Sequence, residues 1–154
     1  MSLDLWSFSL DLYARPGVEA ACLAAQDAGS PVCLLLCGLW LEQRGVAYSE
    51  QRLQQLRELL EPWDREVVQP LRALRTQWKT NVLQDSALEN LREQVKRLEL
   101  EAERRLLERL EAATKDWPAA QNKDSAQWLQ ALAANTDPAN HDALHQLRVA
   151  VSGI

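Results

Sequence analysis

Apolar residues recur with helical spacing along most of the chain. In the first segment Leu3, Trp6, Leu10 and Tyr13 form one stripe and Leu5, Phe8 and Leu12 a second, leaving Asp4, Ser7 and Asp11 as the polar edge. This pattern predicts a helix ending at Ala14 and capped by Ser2 or Asp4. The stretch Ser7 to Leu12 also alternates with period two, but no second convincing strand exists to pair with it, so the helix is preferred. Pro16-Gly17 breaks the chain, and a second helix runs from about Val18 to Ala28 with Gly29 as its C′ residue. Ser30 as cap and Pro31 at the first helical position open a third, Val32 to Arg44, closed by Gly45. That third helix is apolar nearly all round, which places it in the middle of a bundle.

Ser49 opens a fourth, short helix through Leu60, and Pro62 fits the start of a fifth. The stripe Trp63, Val67, Leu71, Leu74, Trp78 passes through Pro70 at spacings of four, four, three and four. A helix kinked near Glu66 to Pro70 keeps that stripe on one face, whereas two separate helices would have to recreate it by chance. Ser86 with Glu89 reads as a capping box for the longest element, about Ala87 to Ala113. Its stripe Leu88, Leu91, Val95, Leu98, Ala102, Leu106, Leu110 begins as a heptad and then slips, which disfavours a long parallel coiled coil. At 1.5 Å per residue this helix is roughly 40 Å long, so it either spans the body or protrudes to meet a second subunit. After Trp117-Pro118 and a polar loop, Asp124 or Ser125 and then Asp137 mark the starts of two shorter helices.

The expected fold is therefore all-α, a bundle of about eight helices in a single domain. Residues 1–80 form its core bundle, 86–114 its long helix and 124–152 its short C-terminal helices. A length of 154 residues with 47% hydrophobic and 25% charged residues is that of an ordinary soluble one-domain protein. The net charge of −5 argues against a surface built throughout for nucleic acid. Cys22, Cys33 and Cys37 all lie in apolar helical runs without Cys-x-x-Cys spacing, which fits buried thiols in a reducing cytosol better than a disulfide frame or a zinc site. Met1 to Asp11 lack a basic n-region, and the run Val32 to Leu41 is too short to cross a bilayer, so a cytoplasmic location without membrane contact is expected.

Several constellations invite a chemical reading. Asp4, Asp11, Gln26 and Asp27 fall among the first helices and could build an acidic pocket for acid–base chemistry, against the plainer reading that Asp27 ties down the turn at Gly29. Arg65, Arg72, Arg75 and Lys79 span an arc of roughly 80° on the fifth helix and offer a surface for an anionic partner, against a solvated face or pairing with acids. His141 and His145 stand four apart, as in a degenerate zincin motif, but Asp142 replaces the usual Glu and no third ligand is marked. Glu99, Glu103 and Glu111 alternate with Arg104, Arg105 and Arg109, which reads as a solvated helix with charge pairs. Of the six tryptophans most sit on apolar stripes as core anchors, whereas Trp117 and Trp128 border loops and are expected to be partly exposed.

The block Trp6, Leu12-Tyr13-Ala14, Pro16-Gly17-Val18-Glu19-Ala20-Ala21-Cys22-Leu23, Gln26-Asp27, Val32, Leu34-Leu35-Leu36 and Leu39-Trp40-Leu41 resembles a bacterial family of small proteins known only as a domain of unknown function. The likeness continues through Pro62-Trp63, Arg65-Glu66-Val67-Val68, Pro70-Leu71-Arg72, Leu74-Arg75 and Glu99-Leu100-Glu101-Ala102-Glu103. Where the family pattern has Val-Asn before the leucine run, this chain has Val32-Cys33, which takes a polar group out of the third helix. The resemblance implies a helical bacterial cytosolic protein and carries no reaction chemistry.

The leading expectation is a non-catalytic protein-binding or adaptor protein with a protein partner of unknown identity and no cofactor or metal, accompanied by homodimerisation through the sixth helix. One alternative is a small-molecule or metal-binding enzyme using Asp4, Asp11, Gln26 and Asp27. The other is an RNA-associated protein using Arg65, Arg72, Arg75 and Lys79, which the acidic balance disfavours.

Overall fold

The computed structural model describes residues 4–27, 31–80, 84–119, 127–134 and 141–152. Its elements are α1 (Leu5–Tyr13), α2 (Val18–Asp27), α3 (Val32–Gln43), α4 (Glu50–Trp63), a π turn (Asp64–Val68), α5 (Gln69–Gln77), α6 (Ser86–Ala113), α7 (Gln127–Ala134) and α8 (His141–Ser152). Among the described residues the fold is all-α, with a single isolated β-bridge between Val46 and Ala119. Because α4, the π turn and α5 run on without a break, the helices among the described residues number seven, where the pattern predicts about eight.

That continuity arises at two prolines. Pro62 lies inside α4 and Pro70 at the start of α5, and each withholds one intrahelical N–H. Between them the ladder widens, so that the Gln69 N–H donates five residues back to the Asp64 carbonyl. The kink expected near Glu66 to Pro70 is this π turn, and it replaces the break expected after Leu60.

Local signals set most of the remaining boundaries. Asp4 caps α1 by accepting from the Ser7 N–H at 2.7 Å, and Ser49 caps α4 by accepting from the Arg52 N–H at 3.1 Å. At the start of α3 the cap position is Pro31 itself, one residue later than expected, while Ser30 lies outside the described residues. For α6 the cap is Asp85, whose carboxylate accepts from Ala87 and Leu88, so Ser86 is the first helical residue and not the capping one. The end of α3 is a Schellman motif. Gly45 takes φ +72°, its N–H donates to the Glu42 carbonyl, the Val46 N–H donates to the Leu41 carbonyl at 3.0 Å, and the Val46 side chain is buried.

Every residue from Cys33 to Leu41 is buried, so α3 is the axis around which the other helices pack. It meets α1, α2, α4, α6, α7 and α8. The approach of α7 is closest at Gly38, where an added Cβ would lie 2.7 Å from a Leu132 methyl. Trp128, expected at a loop border and partly exposed, is instead fully buried: its Nε1–H donates to the Val46 carbonyl at 2.9 Å and its ring lies against Tyr48 and Trp117. Glu42, on the last turn of α3, accepts from the Leu129 N–H at 2.8 Å and pairs with Arg148, joining α3, α7 and α8.

The long helix α6 is both brace and arm. Ala102, Leu106, Leu107 and Leu110 are buried where α6 crosses α1, α3 and α4. Towards its start the first buried residue is Val95, and α5, which packs chiefly on α6 and the π turn, buries none at all. The α5–α6 hairpin therefore projects from the body. Leu110→Ala is expected to lower the unfolding free energy by about 2–5 kcal/mol, whereas Leu91→Ala on the arm shifts it by less than about 0.5 kcal/mol. Urea denaturation checks this, and equal losses would mean that both halves of α6 are equally embedded.

Candidate functional site

The two apolar stripes of α1 have different fates. Leu5, Phe8 and Leu12 enter the core with at most 3% exposure, whereas Leu10 and Tyr13 keep 51% and 37% and Trp6 is half-buried. The second stripe forms one wall of a partly open cleft of about 330 Å³. Val32, Cys33 and Leu36 of α3 supply the facing wall, and Leu100, Glu103 and Leu107 of α6 supply the third. Ser9 and Glu19 complete the lining. Leu36 and Leu107 are buried, so the cleft reaches the core, while the exposed Leu10 and Leu100 form an apolar rim.

Polar groups in and beside the cleft are held mostly in neutral form. The Ser9 hydroxyl donates to the Leu5 carbonyl at 2.8 Å. Burial pushes the Tyr13 phenol above its ordinary range, and the neighbouring Cys22 thiol adds to the rise. Burial likewise raises the Cys22 and Cys33 thiols, and it pushes Cys37, deeper in α3, up to about 12. All three cysteines are free and buried, as their apolar settings predict.

Glu103 stands on the cleft wall with its carboxylate raised by burial and by neighbouring Glu99, against the pull of Arg72 and Arg75. The two acids share two arginines unequally. Arg75 donates to both oxygens of Glu99, at 2.5 and 3.3 Å, while Arg72 divides between Glu99 and Glu103 at 3.5 Å each. This network clamps α5 to α6. It also corrects the reading of the α6 acids as a solvated, charge-paired face. A solvated, charge-paired face does exist on α6, but it is made by Glu101 and Glu108 with Arg104 and Arg105, not by the three acids expected there. Glu99 is instead 7% exposed, Glu103 lines the cleft, and Glu111 accepts from the Leu5 N–H at the start of α1. Arg109 lies over the Trp63 ring at 4.0 Å, and the Trp63 Nε1–H donates to the Ala102 carbonyl.

The residues proposed for an acidic pocket are not gathered around this cleft. Asp4 is exposed and engaged as a cap, Asp11 is exposed, Gln26 is half-buried on α2, and the side chain of Asp27 lies outside the described residues. The basic arc is divided. Arg65 is exposed beside Glu66, Lys79 is exposed, and Arg72 and Arg75 are turned inward onto Glu99. His145 is exposed and the side chain of His141 lies outside the described residues. Among the described residues no group of three His, Cys, Asp or Glu could hold a metal ion. No described helix is long and apolar enough to cross a membrane.

Trp6, Tyr13 and Glu103 lie in the blocks that carry the family resemblance and Cys33 at the departure from it, but no chemical motif marks them as a site. The available signal was the second stripe on α1, one more than a single core face requires. A family model described as a protein of unknown function (DUF2390) matches residues 4–110, which includes every residue lining the cleft. No curated protein and no solved structure matches the chain.

The carboxylates make opposing contributions to stability as pH changes. Glu103 and Glu42 both titrate above 4.5 because burial disfavours their charged forms, so the native state holds their protons more tightly than the unfolded chain. Their contribution falls as pH rises from 4.5 through the raised values. Asp4 titrates below 3.8 because its carboxylate accepts from Ser7, and its contribution is lost only as pH falls through that lowered value. Glu103→Gln is therefore expected to flatten the loss of stability between mildly acidic and neutral pH. Urea midpoints across that range check it, and an unchanged slope would show that Glu103 titrates alike in both states.

Proposed function

The chain belongs to the DUF2390 family of proteins of unknown function, and from that premise we propose that it is a non-catalytic binding protein whose ligand site is the cleft between α1, α3 and α6. The observation that carries the proposal is the cleft itself: about 330 Å³ of space that opens to solvent past Leu10, Tyr13 and Leu100 and descends to buried Leu36 and Leu107. Ligand sites are typically concavities of roughly 300–1,000 Å³, mostly apolar with a few polar groups. An exposed apolar rim around such a space is what a binding surface presents before its ligand arrives.

Binding is favoured over nucleophilic catalysis by the state of the thiols and the phenol. A nucleophile or general base works with a pKa near the operating pH, whereas burial holds the thiols of Cys22 and Cys33 and the phenol of Tyr13 protonated. An RNA-binding role is disfavoured because Arg72 and Arg75, the centre of the basic arc, are already paired with Glu99. Cleft binding is tested with the neutral fluorophore N-phenyl-1-naphthylamine, whose emission rises in apolar surroundings. Val32 is half-buried on the cleft wall, so Val32→Trp fills the space without entering the core. We expect emission to rise with the wild-type protein and to fall at least about fivefold with the variant, since the added ring occupies most of the apolar surface. Equal emission with both proteins would overturn the proposal.

A second reading rests on the arm. Leu91 and Leu98 stand seven residues apart on one face of α6 and are 50% and 55% exposed, with Leu74 of α5 also exposed. In an antiparallel pairing of two copies about the middle of this segment, Leu91 faces the second copy's Leu98, so self-association through α6 covers both. Light scattering is expected to show a dimer that Leu91→Glu with Leu98→Glu converts to a monomer. A monomeric wild-type protein at working concentration would sink this reading.

A further inference from the structure

We infer that the ligand of the cleft is an organic cation, an apolar body carrying an ammonium group that pairs with Glu103. This inference rests on the reading of the cleft as a binding site and names the chemistry that it selects. The ionisable side chains lining the cleft include two carboxylates, Glu19 and Glu103, and no Lys, Arg or His. An anionic ligand would therefore meet like charge in partly desolvated surroundings, where such repulsion is poorly screened.

Glu103 has capacity left for a cation. Arg75 directs both of its donors to Glu99, and Arg72 reaches Glu103 with one long contact at 3.5 Å while also serving Glu99. The arrangement satisfies Glu99 first and leaves Glu103, at 28% side-chain exposure, under-neutralised on the cleft wall. Glu19 is exposed at the cleft and has no ion pair among the described residues, so it adds negative potential without competing for the same donor.

The remaining walls suit the same ligand. The Tyr13 phenol stands on the cleft wall, where its oxygen can accept a second ammonium hydrogen. Leu36 and Leu107 at the floor take the apolar body, which a hydrated metal ion or a small polar cation lacks.

Three probes with one naphthyl body separate the charge from the apolar contribution: 1-naphthylmethylamine, 1-naphthalenemethanol and 1-naphthoate. Titration calorimetry with the full chain at neutral pH and low salt is expected to rank them ammonium, alcohol, carboxylate, with about a tenfold gap between the first two, as for a partly exposed charge-assisted pair. In Glu103→Gln, which keeps the size of the side chain, the ammonium should lose its advantage while the alcohol stays within about twofold of its wild-type affinity. Equal affinity of ammonium and alcohol for the wild-type protein, or an advantage that survives Glu103→Gln, would overturn the cation assignment while leaving the cleft a binding site. Failure of all three probes to bind, with N-phenyl-1-naphthylamine equally indifferent to Val32→Trp, would overturn both.

Discussion

The structure is organised by the burial of α3. A helix with nine consecutive buried residues has no face to offer water, so it must be enclosed on every side. Six other helices meet that demand, and each gives up one apolar stripe to do so. The demand also explains why α7, distant in sequence, is drawn so close that a glycine sits at the crossing. The enclosing helices are held by polar stitches at their ends as well as by area. The Val46 carbonyl holds the Trp128 indole, Glu42 holds the start of α7, and Glu111 holds the start of α1. Each stitch satisfies a backbone or ring group that burial would otherwise leave without a partner.

The cleft follows from the same arrangement. Two helices that pack on a third need not touch each other along their full lengths, and α1 and α6 leave a gap over α3 where Trp6, Tyr13 and Glu103 lie. Their spare apolar surface stays at the wall of the gap. The Arg72, Arg75, Glu99 and Glu103 network sits at the junction between that gap and the projecting hairpin, so the carboxylate on the cleft wall belongs also to the clamp that holds the arm.

Much of the architecture was legible in local chemistry. Gly45 at the end of α3 and Asp4 and Ser49 as caps act within a few residues and appear where the pattern puts them. The stripe through Pro70, in contrast, does not stay on one buried face, since the π turn buries Val68 in place of Val67 and leaves Leu74 exposed. What failed depended on distance. Asp85 and Ser86 are both good capping residues and only the conformation at Asp85 decides between them. Trp128 beside a loop reads as exposed until the Val46 carbonyl, 82 residues away, is placed against its ring nitrogen. Glu99 and Glu103 look like members of a solvated charge pattern because helical spacing says nothing about α5 folding back on them. The cleft was half-visible: two stripes on α1 are more than one core face can absorb, yet the pattern alone does not tell which of the two stays uncovered.

The π turn between Pro62 and Pro70 is, in geometric terms, an α-helix with one residue too many. One residue turns a helix by about 100° while lengthening it by about 1.5 Å. The bearing of the arm is therefore set by a single widened turn rather than by how α4 is seated on the body. Removing that one residue would swing α5 about a quarter of the way round its axis and carry Arg72 and Arg75 off the acids they hold. Core and arm are in this sense separately aimed, and the dial between them is five residues long.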